Sequence, residues 1–349
     1  MQPLVNFVLG NISDWEDIAV DKAREVSIHD LAPRIRMGRE IWNVHAFQLL
    51  RQLDFPVRLS GTFDPEAINV AHCDDIRHGP DLWRYFIVSV RADRDPAFLS
   101  HMEIVQNQLS IWSKNDYYIP HWPQPGLIAR EPSRGKKVEN IIYMGKDDNL
   151  DNAFKTKHFR QSLERMGMRL LIQENEWWDY HEADVVLAVR GGPQFYLAIK
   201  PATKLVNAWL AGCPAILSPE PGYSELWKSD IDYFEATEPA EVLTTLSKLR
   251  DSPELMAQMI ANGKVRATEF EADAIAHRWE QFLVEMAAGE FHRWQRNASE
   301  LGRKRRYYTA LVKRHLWGHW AVGKHKAQWK EALGRVRRRV LLPRSVCAS

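Results

Sequence analysis

The stretch from Ala183 to Tyr223 constrains the fold more strongly than any other part of the chain. Residues 184–189 are a short apolar run rich in β-branched side chains, which is typical of a buried parallel strand. Residues 201–203 (Pro-Ala-Thr) mark the start of a helix, because proline fits the first turn and Thr203 can cap free backbone N–H groups. The helix is predicted to end at Gly212, and residues 215–217 form the next strand. This order of strand, loop, helix and strand predicts an open α/β sheet.

The same unit predicts an anion-binding site. In an open α/β sheet, ligands lie beyond the carboxyl ends of the strands, where a helix N-terminus offers unpaired N–H groups and the positive end of its dipole. Lys200 and Lys204 add two full positive charges at that end. This combination favours a diphosphate. The alternative is that both lysines are solvated surface charges at an ordinary loop–helix junction.

The segment KPATKLVNAWLAGCPAILSPE, residues 200–220, resembles the donor-site segment of GT-B glycosyltransferases, particularly the GT4-like group. In that family a helix after a glycine- or lysine-bearing loop holds the nucleotide diphosphate, and a G-x-P step leads into the next strand, as at residues 212–214 here. Retaining members usually carry two glutamates separated by seven residues. The equivalent positions here are Ile199 and Asn207, so the resemblance implies a nucleotide-sugar site but no stereochemical class.

The resemblance implies a fold of two Rossmann-like domains that face a cleft, and a donor site in the second domain. In the family, the glycine-containing loop after the first strand of that domain approaches the donor phosphates. Glu220 follows a buried strand at the ligand-binding end of the sheet and is expected to accept hydrogen bonds from ribose or sugar hydroxyls. The predicted substrate-binding residues are Gly145, Lys146, Arg190, Lys200, Thr203, Lys204, Asn207 and Glu220.

The acceptor is expected to bind against the first domain, where strands are predicted at residues 4–9, 57–59, 67–71, 85–90 and 102–106 and a helix at residues 39–53. In GT-B proteins the loop before the first helix faces the acceptor. That loop corresponds to residues 34–38 here, although an ordinary basic surface loop is an equal alternative.

An inverting transfer needs a general base on the acceptor hydroxyl, whereas a retaining transfer needs no strong base at the same place. Asp93 is the predicted catalytic base, with Asp74 and His72 as weaker alternatives. Arg91 and Arg94 flank Asp93, so a structural ion pair that keeps the carboxylate charged is the competing explanation.

Composition excludes several other classes of protein. A length of 349 residues suits two domains better than one. The three cysteines are widely spaced and odd in number, which predicts neither a disulfide framework nor a zinc site. Residues 72–75 (His-Cys-Asp-Asp) are metal-binding types, but one short run at a strand end rarely supplies a full ligand set. We therefore predict no metal and no cofactor.

A proline- and aromatic-rich crossing at residues 117–126 and a polar linker at 131–137 predict the domain division. Residues 1–130 would form the acceptor-side domain and residues 138–290 the nucleotide-sugar-binding domain. The N-terminus lacks a basic region and a long apolar core, which argues against a signal peptide, and the longest apolar run is too short to span a bilayer. The prediction is a cytoplasmic protein, or one held peripherally on the cytosolic face of a membrane.

Residues 303–349 form a basic, aromatic C-terminal tail that is predicted to be helical or disordered and dispensable for folding. The tail contains fourteen Lys/Arg and one acid, a charge of +13, so the remaining chain carries −11 of the total of +2. Its basic residues, with Trp317, Trp320 and Trp329, favour an anionic membrane surface. Nucleic acid and a solvated tail without a partner are the alternatives.

We therefore predict a glycosyltransferase of the hexosyltransferase type. It would move a sugar from a nucleotide-diphosphate sugar to the hydroxyl of a glycan or lipid-linked acceptor, in polysaccharide or glycolipid synthesis. Three alternatives stay open. An epimerase or hydrolase of the same fold would turn the donor over without an acceptor, a silent nucleotide-sugar-binding scaffold would only bind it, and a nucleic-acid binder would act through the tail.

Overall fold

The computed structural model describes residues 2–19, 26–35, 37–76, 81–192, 194–297, 299–314 and 316. In this part of the chain the strands form two parallel β-sheets. The first sheet consists of β1 (Val5–Val8), β2 (Val57–Ser60), β3 (Ile68–His72), β4 (Phe86–Val90), β5 (Met102–Val105) and β6 (Asp116–Tyr118). The second consists of β7 (Asn140–Met144), β8 (Arg169–Gln173), β9 (Val185–Ala188), β10 (Ala215–Leu217) and β11 (Phe234–Glu235).

The strand order is β2-β1-β3-β4-β5-β6 in the first sheet and β11-β10-β9-β7-β8 in the second. Every neighbouring pair of strands is parallel. Parallel strands require crossover connections, and the central strands are buried on both faces because those connections cover them. The predicted fold of two Rossmann-like α/β sheets is confirmed, and the predicted linker at residues 131–137 lies between β6 and β7.

The helices of the described residues connect and cover these strands. They are α1 (Glu16–Ala19), α2 (Ile28–Leu31), α3 (Gly38–Glu40), α4 (Ala46–Gln52), α5 (Lys157–Arg165), α6 (Gln194–Leu197), α7 (Thr203–Ala211), α8 (Pro221–Ser224), α9 (Pro239–Asp251), α10 (Pro253–Ala267), α11 (Ala272–Gln281), α12 (Ala288–Asn297) and α13 (residues 300–314). π-Helical turns over Ile41–His45 and Phe282–Ala287 join α3 to α4 and α11 to α12. None of these helices is long and apolar enough to cross a membrane.

The last part of the chain returns to the first sheet. Ile275, Trp279 and Phe282 are fully buried in the core of the first sheet. The ring centroids of Trp279 and Phe7 are 5.8 Å apart, and those of Trp279 and Trp42 are 6.2 Å apart. Phe270, just before α11, is buried in the core of the second sheet. The two sheets are therefore joined by this passage of the chain into α11 as well as by the crossing segment.

The first twelve residues of the predicted tail form most of α13 and contact the first sheet. Tyr307 is buried in a cluster with Ile87 and Leu99. Arg306 Nη2 donates a hydrogen bond to the backbone oxygen of Ser100 at 2.7 Å. The three tail tryptophans, Trp317, Trp320 and Trp329, lie outside the described residues.

Candidate functional site

The predicted site surrounds the N-terminus of α7, between the ends of β9 and β10. The helix starts at Thr203, with Ala202 at the N-cap and no side chain capping it, so the predicted cap by Thr203 is wrong. Thr203 is itself the first helical residue, and its hydroxyl is not placed to accept from the N–H groups that a capping residue one position earlier would reach. The end of the helix is as predicted, because Gly212 adopts φ +73° there.

Lys204 is the central cation of the site. Its Nζ lies 4.7 Å from the ring centroid of Tyr143, and a Cβ added at Gly145 would approach it to 3.0 Å. Gly145 has φ +144°, so only glycine readily allows this loop to pass so close to the lysine. Desolvation by its neighbours, and then the charge of Arg190, lowers the pKa of Lys204 to about 7. None of the carboxylates that the structure describes forms an ion pair with this lysine, which favours an external anion.

Arg190 and Glu220 form a buried ion pair that joins the ends of β9 and β10. Arg190 Nη1 donates to Glu220 Oε2 at 2.6 Å, and Ser218 Oγ donates to Glu220 Oε1 at 2.8 Å. Burial raises the pKa of the Glu220 carboxyl, while the Arg190 charge and the Ser218 hydroxyl oppose that rise. Glu220 thus first serves to hold Arg190 beside Lys204, and its predicted contact with sugar hydroxyls stays a prediction.

Three buried hydroxyls around these cations lack a hydrogen-bond partner among the described residues, namely those of Tyr143, Thr203 and Tyr223. Tyr143 lies against Lys204, and the Arg190 guanidinium is 6.0 Å from the ring centroid of Tyr223. A buried polar group without a partner is costly, so a ligand rich in acceptor oxygens would satisfy this cluster. We did not predict the two tyrosines, because Tyr143 lies within the apolar run of β7 and Tyr223 in the short helix α8, and neither place signals a ligand contact.

Lys200 points toward the first sheet instead of toward Lys204. Its Nζ contacts Asp93 Oδ2 at 2.5 Å and lies 3.7 Å from the ring centroid of Tyr196. The backbone of this loop is also held from the end of β5, because Asn107 Nδ2 donates to the Lys200 oxygen at 2.9 Å. Lys146 is exposed in the turn after β7. The structure therefore groups Gly145, Arg190, Thr203, Lys204 and Glu220 and places Lys146 and Lys200 at the edges of that group.

Asp93 lies beyond β4 with both carboxylate oxygens paired, one to Lys200 and the other to Arg94 at 2.7 Å. Burial opposes the effect, but the hydrogen bond and charge of Lys200 and the charge of Arg94 lower the pKa of Asp93. Arg91, which we expected beside Asp93, is buried and pairs with Glu103 at 2.7 Å and Asp116 at 3.0 Å. The catalytic role of Asp93 stays a prediction, and the lowered pKa weakens it as a base.

The two weaker candidates for the base lie beside Asp93. His72 Nδ1 accepts from the backbone N–H of Asp74 at 3.2 Å, and burial lowers the pKa of His72 to about 4. Asp74 pairs with Arg94 at 3.0 Å. Across the described residues there is no group of three or more His, Cys, Asp and Glu side chains that could hold a metal ion. At the ends of β3 and β4, the two carboxylates of Asp74 and Asp93 are thus paired with the two cations Arg94 and Lys200.

Asn207, at the second glutamate position of the GT4-like pattern, has a partner within the chain. Its Oδ1 accepts a hydrogen bond from the backbone N–H of Gln124 at 3.0 Å, and both residues are buried. Gln124 belongs to the crossing between β6 and β7, so Asn207 fixes α7 against that crossing. Donor binding by Asn207 stays a prediction.

A cavity of about 630 Å³ lies away from this site, between the β5–β6 edge and α13. The acids in its lining, Glu103 and Asp116, are both paired with Arg91. None of the predicted site residues lines it. The chemistry suggested by the sequence is therefore concentrated at α7 and the facing strand ends.

Part of the chain matches a known protein family. Residues 175–284, which include β9, β10, β11 and α7, match a family model described as glycosyl transferase-like. No curated protein sequence matches the chain. The matched range contains Lys200, Lys204 and the buried Arg190–Glu220 pair.

Several solved structures are similar to the chain. Sucrose-phosphate synthase from Thermosynechococcus elongatus has 11% identity and a TM-score of 0.53, covering 83% of this chain and 100% of that chain. Anabaena HepE in complex with UDP and glucose has 13% identity and a TM-score of 0.49, with coverage of 82% and 100%. AviGT4, a glycosyltransferase involved in avilamycin A biosynthesis, has 13% identity and a TM-score of 0.48, with coverage of 82% and 98%. At such low identity the likeness to the synthase shows the fold alone.

Proposed function

We propose that this chain, a glycosyltransferase of the GT-B fold, transfers a hexosyl group from a nucleoside diphosphate sugar held at the N-terminus of α7. The observation that carries the proposal is Lys204, a desolvated lysine without a carboxylate partner among the described residues. The unpartnered hydroxyls of Tyr143, Thr203 and Tyr223 lie around it and Arg190. A diphosphate supplies both the negative charge and the acceptor oxygens that this cluster lacks.

In this proposal the diphosphate is also the leaving group. Negative charge grows on it as the bond to the sugar breaks, and cations fixed beforehand stabilise that charge without having to reorganise. Lys204 and the N-terminal N–H groups of α7 would contact the phosphates, while Glu220 keeps Arg190 in place. Gly145 supports the proposal because a side chain there would crowd Lys204. Lys146, Lys200 and Asn207 would bind at the periphery, toward the nucleoside or the sugar.

The acceptor would enter from the first sheet. The ends of β3 and β4, with His72, Asp74, Asp93 and Arg94, face the loop that carries Lys200. We propose that the acceptor is the hydroxyl of a glycan or a lipid-linked sugar in polysaccharide or glycolipid synthesis. Because Asp93 has both oxygens paired, we propose that it holds Lys200 away from the donor phosphates instead of acting as the general base.

The place of the reaction is proposed to be the cytosolic face of a membrane. The support is the charge of +13 carried by residues 303–349 in a chain whose total charge is +2. Such a segment is attracted to an anionic leaflet. The protein would then be cytoplasmic and peripheral, with its acceptor supplied by the membrane.

The test is calorimetric binding of UDP, GDP, ADP and TDP, with the matching nucleosides, to wild type and Lys204→Ala. Loss of a charge-assisted phosphate contact should weaken binding of the preferred diphosphate by about 1.5–3 kcal/mol and leave nucleoside binding nearly unchanged. Lys248→Ala is the matched control, because Lys248 Nζ also lies over an aromatic ring, that of Phe234, at 5.1 Å. Equal diphosphate affinity of Lys204→Ala and wild type would overturn the proposal.

A further inference from the structure

One side of α13, continued by Leu316, carries an apolar stripe that the described residues leave exposed. The exposed fractions are 78% for Leu301, 57% for Tyr308, 58% for Val312 and 55% for Leu316. Spacings of seven and then four residues place these side chains on one face of a helix. Single exposed apolar residues are common on protein surfaces, but an aligned row of large ones indicates a surface that another partner covers.

The opposite side of α13 is fixed to the protein. Tyr307 is buried, and Ala310 and Leu311 pack on the same cluster under the first sheet. Arg306 is hydrogen-bonded to the backbone oxygen of Ser100, and the Arg303 guanidinium lies 3.8 Å from the ring centroid of Trp294. The stripe therefore points away from the first sheet, and its orientation is set by the fold.

The charges beside the stripe select the kind of partner. Residues 303–314 contain six cations and no acid. Arg303 and Arg306 contact the protein on the fixed side, and the other four are Lys304, Arg305, Lys313 and Arg314. Glu300, one turn earlier, pairs with Lys304 at 2.5 Å. Apolar residues on one helical face with basic residues around them are typical of helices that lie in the interface of an anionic bilayer.

Two other partners fit these observations less well. A second copy of the chain would bring a second set of the same cations to the contact, and like charges repel. A nucleic acid would pair its phosphates with the cations but would not bury a row of leucine, valine and tyrosine side chains. An anionic membrane satisfies the charge and the apolar stripe together.

We propose that α13 and the adjoining Leu316 lie on an anionic lipid bilayer through Leu301, Tyr308, Val312 and Leu316, with Lys304, Arg305 and Lys313 at the level of the headgroups. The helix is fixed to the first sheet, so this contact would hold the acceptor side of the enzyme against the membrane. The inference deepens the proposed function. It rests on that function only for the statement that the acceptor binds on the side of the first sheet. It assigns the membrane contact to a folded face of the described chain instead of to the whole basic tail.

The experiment uses the full-length protein with sedimenting vesicles of phosphatidylcholine, either alone or with about 30% phosphatidylglycerol. The variant is the double substitution Val312→Asp and Leu316→Asp, which changes two exposed positions. The matched control is Val265→Asp, because Val265 on α10 is 69% exposed and distant in sequence from α13. Wild type and control should bind the anionic vesicles equally, and the double variant at least about tenfold more weakly. Binding of wild type should also weaken as salt rises.

Diphosphate binding by calorimetry serves as the folding control and separates the two proposals. A double variant that binds the diphosphate normally but has lost the vesicles supports the membrane surface. Vesicle binding by wild type without binding of any nucleoside diphosphate would overturn the donor proposal alone.

Equal vesicle binding by the double variant and wild type would overturn the assignment to α13. Failure of wild type to bind anionic vesicles at low salt would do the same. Loss of self-association or of polynucleotide binding in the double variant, with vesicle binding unchanged, would instead identify a second copy or a nucleic acid as the partner and reject the membrane.

Discussion

Lys204 makes the proposed donor site sensitive to pH near neutrality. Its pKa is lowered from 10.5 to about 7, so the amine is charged below this pH and neutral above it. A diphosphate binds the charged amine and raises its pKa, so complex formation takes up a proton wherever the free enzyme is neutral at this site. Diphosphate affinity should therefore be highest below about pH 7 and fall as pH rises toward 9.

Calorimetry at about pH 6.5 and about pH 8.5, in two buffers with different ionisation enthalpies, measures both the affinity and the proton uptake. Lys204→Arg is the control, because arginine stays charged over this range and should bind with little dependence on pH. An affinity of wild type that does not change between the two pH values would contradict a depressed pKa at Lys204. In the free protein, the same pKa implies that the free energy of unfolding rises between about pH 7 and 10.5. In this range Lys204 is protonated in the unfolded state and neutral in the folded state, so a rise in pH favours folding.

At the scale of secondary structure, the ends of β9 and β10 are joined by the Arg190–Glu220 pair. The side chains are only 11% and 2% exposed, so removal of the carboxylate leaves a buried guanidinium without a counter-charge. Glu220→Ala should lower the free energy of unfolding by about 3–5 kcal/mol, as measured by urea denaturation. It should also weaken diphosphate binding, because Arg190 is no longer held beside Lys204.

Glu254→Ala is the control for this substitution. Glu254 pairs with Lys136 at 3.9 Å, and both side chains are largely exposed, so its loss should cost less than about 1 kcal/mol. The loss in free energy of unfolding should be several times larger for Glu220→Ala than for Glu254→Ala. If Glu220→Ala costs no more than Glu254→Ala, the pair contributes little to the site or the fold.

At the scale of the whole molecule, Asp93 and Lys200 connect the two sheets. Asparagine at position 93 removes the carboxylate that competes for Lys200, and it removes a negative charge near the proposed diphosphate. Asp93→Asn should therefore bind the diphosphate severalfold more tightly, by roughly 1 kcal/mol. Asp74→Asn is the matched control, because Asp74 pairs with Arg94 and not with Lys200.

The rate of transfer separates this positioning role from general base catalysis. A general base contributes about 10²–10⁴-fold to the rate, so its loss would reduce kcat by that amount without a change in donor affinity. For Asp93→Asn we expect kcat to fall by less than about tenfold. A larger loss of kcat with unchanged diphosphate affinity would restore Asp93 as the base.

The C-terminal segment divides into a part that belongs to the fold and a part that the structure does not describe. Because residues 317–349 offer too few contiguous apolar residues for a core of their own, we predict that their removal leaves stability unchanged. Removal of residues 300–349 takes Tyr307 away from Ile87 and Leu99 and should cost about 3–5 kcal/mol, as for truncation of a large core aromatic residue. Thermal or urea denaturation of the two truncated proteins measures the difference. Equal stability of both truncated proteins would mean that α13 does not stabilise the first sheet. Residues 303–349 would then be dispensable for folding, as predicted from the sequence.

The sequence by itself determined the class of fold and the class of activity. Buried parallel strands are local apolar runs, and the start of α7 and its end at Gly212 follow from single residues, so both could be identified without knowledge of distant contacts. The resemblance of residues 200–220 to GT-B glycosyltransferases is confirmed by the glycosyl transferase-like match and by the fold, whereas the GT4-like group stays a prediction. Lys204 was also placed correctly at the N-terminus of α7, because that position depends only on its neighbours in the chain.

The tertiary structure alone decided which charges and hydroxyls meet. Lys200 pairs with Asp93 across 107 positions, and Asn207 accepts from Gln124 across 83. Local spacing contains no information about such pairs, because they depend on how the two sheets pack. For the same reason Arg91, only two residues before Asp93 in the sequence, pairs with Glu103 and Asp116 instead. The hydroxyls of Tyr143 and Tyr223 were likewise not predicted. Hydrogen bonds within a helix arise locally, whereas a site between layers exists only after the layers have come together.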